Sequence, residues 1–198
     1  MKKIRYYKKI TTDYRKKRII LAGKGGSGKD HLRNLLVEKG FKYCISFTTR
    51  PKRPAEIEGD DYFFIDEKEF KEMIDNDSFI EYVNFNQWYY GTPKDQFQSS
   101  NVLIMTPSGI FKLSDEDRVQ SFILFIDIDQ ETRRNRLSQR RDADAVERRI
   151  EADEKDFFEF SDYDAKIIDP NFTLENINEL LIFPHDENKH PFRYKLPF

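Results

Sequence analysis

Apolar residues along this chain fall into short unbroken runs, separated by stretches in which they recur every three or four positions. "RIILAG" (18–23) reads as a strand buried on both faces. "KDHLRNLLVEKG" follows, with Leu32, Leu35 and Leu36 on one helical face and Gly40 as a stop. "KYCISF", "NVLIMTP" (101–107), "SFILFIDI" (121–128) and "AKIID" (165–169, closed by Pro170) are four more predicted strands. Helices are expected near 108–115, from an N-cap at Asp129 through "QETRRNRLSQRR", and near 173–182. Such β–α alternation predicts a five-stranded parallel sheet flanked by helices.

One segment breaks the rhythm. Between about 45 and 93, short alternating strands ("DYFFID", "FIEYVNF", "QWYYGT") surround a single helix, "EKEFKEMIDN". It reads as a small β-rich insertion. The expected organisation is a single domain: a core of 18–44, 94–137 and 151–183, an insertion at 45–93 and a charged helical lid at 138–150. A basic extension (1–17) and an irregular tail (184–198) complete it.

The 198 residues suit one domain, and 38% hydrophobic with 35% charged residues describes a soluble globular chain. No apolar run approaches the roughly 18 residues of a membrane span, and the N-terminus has no signal-peptide pattern. Cys44 is the only cysteine, which excludes an internal disulfide and fits a reducing, cytoplasmic setting. The net charge of −2 is uneven, because residues 1–18 carry nine Lys/Arg against one acid, Asp13. Such an arm reads as a solvated extension or an added edge strand, with nucleic acid the less favoured partner.

The candidate chemistry begins at "GKGGSGKD". Gly23, Gly28 and Lys29 match the phosphate-loop pattern, while Asp30 stands where Ser or Thr would offer a hydroxyl to Mg2+. A glycine-rich turn between a buried strand and a helix aims backbone N–H groups and the helix's positive end at one point. Gly23, Gly25, Gly26, Ser27, Gly28, Lys29 and Asp30 are therefore the expected ATP-binding residues, in a P-loop NTPase-type α/β fold.

With this loop and the insertion together, the chain resembles the guanylate kinases over roughly 18–183. "ISFTTRPKRPAEIEGDDYFF" resembles the family's S-x-S-x-T-T-R-x-x-R-x-x-E-x-x-G-x-x-Y-x-F segment, and "FIEYVNFNQWYYGT" its F-[IL]-E…Y-Y-G-[ST] segment. The resemblance implies transfer of the γ-phosphoryl of ATP to GMP or dGMP, with Mg2+ accompanying ATP. It implies that Ser46, Arg50, Arg53, Tyr62 and Tyr90 hold the GMP phosphate. Glu81 would accept guanine's N1–H and 2-amino donors, and Ser46 and Thr92 would bond the base's other polar atoms. Arg50 joins Lys29, Arg136, Arg140 and Arg149 as the expected catalytic cations, with Arg141 and Arg148 as neighbouring alternatives in the lid.

This chain departs from the family at two places. Besides Asp30, the strand "NVLIMTP" has Ile104 and Thr106 where the family usually carries an Asp-x-Asp pair. The gained acid and the lost ones should be neighbours, so Asp30 is the expected metal ligand. Two other functions compete: an interaction module that has lost catalysis, and a kinase of the same fold with a different nucleotide or sugar-phosphate acceptor. The retained Gly23, Gly28 and Lys29 count against the first, and Glu81 with Tyr90, Gly91 and Thr92 against the second.

Overall fold

The computed structural model describes residues 6–8, 17–85, 87–139 and 146–174. In chain order its elements are β1 (Tyr6–Lys8), β2 (Arg18–Gly23), α1 (Lys29–Glu38), β3 (Phe47–Thr48) and β4 (Phe63–Phe64). Then come α2 (Glu67–Asp75), β5 (Phe79–Phe85), β6 (Trp88–Pro93), α3 (Lys94–Phe97), β7 (Val102–Ile104) and α4 (Pro107–Phe111). The remainder is α5 (Asp115–Val119), β8 (Ser121–Ile126), α6 (Gln130–Ser138), α7 (Val146–Asp156) and β9 (Ala165–Ile167).

β2 is buried at every position, and its period of two divides the run between two cores. Ile19 and Leu21 pack with Leu32, Leu36 and Ile126 on one face of the sheet. Ile20 and Ala22 pack with Leu103, Met105, Ile110 and Phe125 on the other. Helices cover both faces, which is why the strands read as continuous apolar runs rather than alternating ones.

The core sheet runs β1-β9-β8-β2-β7. β2, β7, β8 and β9 are parallel, and β1 pairs antiparallel with β9, Tyr6 opposite Ile167. The basic extension thus contributes an edge strand. The sheet has five strands, but "KYCISF" is not the fifth. Only Tyr43 bridges Val102 in parallel, after which the Ile45 N–H turns to the Gln96 side chain at 3.1 Å. Capture by a side chain replaces the ladder, and Phe47–Thr48 joins a second sheet instead.

That second sheet, β4-β3-β6-β5, is the insertion. Its β5–β6 hairpin sets Glu81 opposite Thr92. Phe70 of α2 is fully buried against it, stacked on Phe79 and Tyr89 at 4.6 and 5.3 Å between centroids. The helix expected near 108–115 divides into α4 and α5, each with its own N-cap, Thr106 and Ser114. Asp129 caps α6 as the sequence predicts, accepting from the Thr132 N–H at 2.8 Å. Residues 175–198, covering most of the helix expected near 173–182 and the tail, lie outside the described residues, as do Arg140 and Arg141. Among the described residues no helix is long and apolar enough to cross a membrane.

Candidate active site

The glycine-rich loop leaves β2 and enters α1 through Gly28, whose φ of 105° only glycine adopts without strain. No side chain caps α1, so its first N–H groups are left for an anion. The Lys29 Nζ donates to the carbonyls of Gly23 and Lys24, the second at 3.1 Å, which folds its ammonium back over the loop.

A cleft of about 290 Å³ joins this loop to the insertion. From the loop it is lined by Gly23, Gly25, Gly26, Lys29 and Asp30. From the insertion come Ser46, Arg50, Arg53, Tyr62, Glu81 and Tyr90. Arg148 and Arg149 of α7 line it as well, so both adjacent arginines of that helix reach the same wall. Asp30, Ile104 and Thr106 all line this cleft.

Among the described residues, four predicted ones do not line it. Gly28 and Arg136 belong to a neighbouring groove of about 500 Å³, together with Gly26, Asp30, His31, Pro170, Asn171 and Phe172. There the Arg136 guanidinium donates to the Gly26, Ser27 and Pro170 carbonyls at 3.1, 3.3 and 2.6 Å. Ser27 is fully buried beneath the loop. Thr92, 2% exposed, gives its hydroxyl to Glu81 Oε1 at 2.6 Å rather than to the cleft.

The cations are pre-positioned by one acid. Glu56 Oε1 accepts from Arg50 Nη2 at 2.7 Å and from Arg53 Nη1 at 3.4 Å, and its Oε2 accepts from the Arg53 backbone N–H at 2.8 Å. The Arg50 guanidinium lies 5.6 Å from the Tyr62 and Phe64 ring centres. Tyr62 and Tyr90 meet edge to face at 6.0 Å. Burial pushes the Tyr62 phenol well above its ordinary value, with the field of Tyr43 and Asp30 adding to it, so it stays a donor.

Glu81 is 8% exposed, and burial raises its carboxyl above the usual range against the opposing Thr92 hydrogen bond and the Lys112 charge. A carboxylate held in this way gains from a ligand that brings two donors.

Two acids on α7 gave no sequence signal, because "VERRIEADEKD" is charged on nearly every side. Asp153 Oδ2 accepts the Gly25 N–H at 2.7 Å and lies 3.6 Å from Arg133, which is buried. Asp156 lines the cleft one turn further on. Burial, reinforced by Asp153, pushes its carboxyl up to about 6. Glu56 did have a signal, since it closes the T-T-R-x-x-R-x-x-E pattern; what the pattern did not state is that it orients both arginines.

The family model described as guanylate kinase matches residues 15–181. The guanylate kinase of Lactobacillus acidophilus is 33% identical over 169 residues, 80% of this chain and 82% of the relative. That of Caldanaerobacter subterraneus is 36% identical over 130 residues, covering 62% and 63%. The crystal structure of guanylate kinase from Anaplasma phagocytophilum superposes with a TM-score of 0.67 at 24% identity, covering 84% of each chain, a likeness of fold.

Proposed function

This chain belongs to the guanylate kinase family, and we propose that it carries out ATP-dependent phosphorylation of GMP or dGMP with the cleft as its active site. The observation that carries the assignment of the site is that a single cleft joins the phosphate loop to Arg50, Arg53, Tyr62, Tyr90 and Glu81. An oxygen of the GMP phosphate attacks the γ-phosphorus of ATP, the bond to the β–γ bridging oxygen breaks, and ADP and GDP leave. No covalent enzyme intermediate is needed, and catalysis is positioning plus charge stabilisation.

Arg50 and Arg53 grip the acceptor phosphate as planar forks, and Tyr62 and Tyr90 donate their hydroxyls to it, with Ser46 beside them. Glu56 holds both forks in place before substrate arrives, which lowers the cost of ordering them. Glu81 accepts the N1–H and one 2-amino hydrogen of guanine, and Thr92 fixes the carboxylate's orientation. Lys29 follows the γ-phosphoryl, while Arg149, with Arg148 and Arg140 of the lid, offsets charge on the transferring oxygens. Arg136 holds the phosphate loop against the segment after β9.

Mg2+ fits this donor set. Asp30 presents hard oxygens where the cleft and the groove meet, and no group of three metal-ligating side chains exists among the described residues. Asp30 would therefore share the ion with phosphate oxygens and water, the shell Mg2+ prefers. When bound, the ion supplies positive charge to the transferring phosphates. We place the reaction in the cytoplasm, with neither membrane nor nucleic acid as a partner.

The test is ADP release across GMP, dGMP, AMP, CMP, UMP and a sugar phosphate. Turnover confined to the guanine nucleotides is expected. Preference for another acceptor overturns the acceptor assignment, and no turnover on any of them by the folded protein favours a binding module.

A further inference from the structure

Asp156 has no part in the roles assigned above, yet it stands in the cleft wall. Its Oδ2 is buried and has no hydrogen-bond partner. A buried oxygen of this kind is costly unless something satisfies it, so it calls for an explanation. Its surroundings point to the base of the acceptor. The Ser108 hydroxyl faces the Asp156 carboxylate and favours its charged form. That hydroxyl also lies 3.1 Å from the Thr106 hydroxyl. The next residue, Gly109, touches Glu81 so closely that a Cβ there would sit 2.8 Å from Glu81 Oε2. Glu81 of β5 and Asp156 of α7 therefore approach adjacent residues, Gly109 and Ser108 respectively.

Guanine carries three N–H groups on one edge: N1–H and the two hydrogens of the 2-amino group. A single carboxylate takes two of them. We propose that Asp156 is a specificity-determining residue whose Oδ2 accepts the remaining 2-amino hydrogen of the guanine held by Glu81. The inference rests on the GMP reading above and deepens it. Placement on α7 gives the contact a second effect. The helix that carries Arg148 and Arg149 is drawn to the acceptor's base, so recognition of guanine and positioning of the lid arginines come from one element. Ser108 is a positioning residue that keeps Asp156 turned to the cleft. A base without the 2-amino group would leave Oδ2 unpaired, which is how a polar site rejects the analogue lacking a group.

The experiment compares GMP with IMP, which keeps N1–H and the 6-oxo group but lacks the 2-amino group. Steady-state kinetics with ATP, and calorimetric binding of each nucleotide, are measured for the full chain, Asp156→Ala, the isosteric Asp156→Asn and Ser108→Ala, with thermal melts confirming folding. Asp156→Ala is expected to lower kcat/KM for GMP about tenfold and to leave IMP within about twofold, so the GMP/IMP preference falls by the difference. Asp156→Asn, with a weaker neutral acceptor, should lose about threefold on GMP alone. Ser108→Ala should move in the same direction by less. Equal losses on both nucleotides, or no loss on GMP, overturn the inference while wild-type turnover of GMP leaves the functional reading standing. A folded wild type that neither binds nor phosphorylates GMP overturns both.

Discussion

Thr92→Val isolates the hydrogen bond on which the Glu81 carboxylate, the proposed base acceptor, depends. The change keeps the shape of the side chain and removes the hydroxyl that donates to Glu81 Oε1 at 2.6 Å. Both partners are buried, Thr92 at 2% and Glu81 at 8% exposure. Solvent cannot replace the lost donor, so a charge-assisted bond here is worth about 1.5–3 kcal/mol. Burial already raises the Glu81 carboxyl, and the Thr92 bond is the first of the two influences opposing it, the Lys112 charge being the second. Without the hydroxyl the carboxyl rises further. A carboxyl raised in the folded state keeps its proton where the unfolded chain has lost it, so stability falls as pH rises from the ordinary carboxylate range through the folded value. The cost of Thr92→Val should accordingly be smaller at pH 4, where Glu81 is mostly protonated in both states, and reach about 2 kcal/mol at pH 8. For a domain of this size that corresponds to roughly 4–8 °C in Tm. Urea unfolding at pH 4 and 8, with GMP calorimetry at both, measures it. GMP affinity should weaken in the variant and recover as pH rises, because the ionised carboxylate is what the base requires. A cost below about 0.5 kcal/mol at pH 8, or one independent of pH, refutes the reasoning.

Three more outcomes follow from the same geometry. Asp156→Asn should stabilise the protein by about 1–2 kcal/mol at pH 8 and by nothing at pH 4, since the folded carboxyl titrates near 6 against an ordinary 3.8; the figure is the shift converted at about 1.4 kcal/mol per unit and reduced for partial exposure. Urea unfolding across pH 4–8 reads this directly. Glu56→Gln should raise KM for GMP about tenfold with kcat changed less, because it loosens Arg50 and Arg53 together before the phosphate arrives; equal effects on ATP would sink that account. Asp30→Asn should bind ATP more tightly than wild type when Mg2+ is removed by chelation and lose most of the gain from adding it, measured by calorimetry; unchanged Mg2+ dependence with full turnover would exclude Asp30 as the ligand.

The phosphate loop, the insertion and the parallel core were legible because each rests on local rules. "RIILAG" must be buried on both faces, the glycines must turn, and Asp129 caps a helix where a cap residue precedes a helical stretch. "KYCISF" misled for a tertiary reason. Its apolar pattern suits a strand, but the Gln96 side chain, distant in sequence, takes the Ile45 N–H that would have extended the ladder. The fifth strand comes instead from three residues of a basic arm with no strong β pattern, at the opposite edge beside β9. Residues acting through others were the least legible. Thr92 looks like a base contact by position along the chain, yet its rotamer turns inward to Glu81. Asp153 and Asp156 are two acids in a helix full of charges, and only the fold shows which of them face the loop and the cleft.

The cleft is the proposed site of phosphate binding, yet four carboxylates among the described residues line it: Asp30, Glu81, Asp153 and Asp156. Their partners sort them. Asp153 is matched within the protein, taking the Gly25 N–H and facing Arg133, with Lys24 nearby bound to Glu154 at 2.5 Å. Its charge is compensated beside the site where phosphate charge collects, and so adds little repulsion. Glu81 takes a hydrogen bond only from the Thr92 hydroxyl, with the Lys112 charge nearby, and Asp156 faces the Ser108 hydroxyl; burial raises both, as it raises Asp153. An acid left short of donors in the free protein favours a ligand that brings N–H groups, and the base edge of guanine does so while carrying no charge of its own. Asp30, at the junction of cleft and groove, is exposed enough to stay hydrated until a metal–nucleotide complex arrives. Asp153 is thus satisfied in place beside Gly25, whereas Glu81 and Asp156 are left short of donors. Under the proposed function, that asymmetry would make a phosphate costly beside Glu81 and Asp156 and give the acceptor one favourable orientation in the cleft.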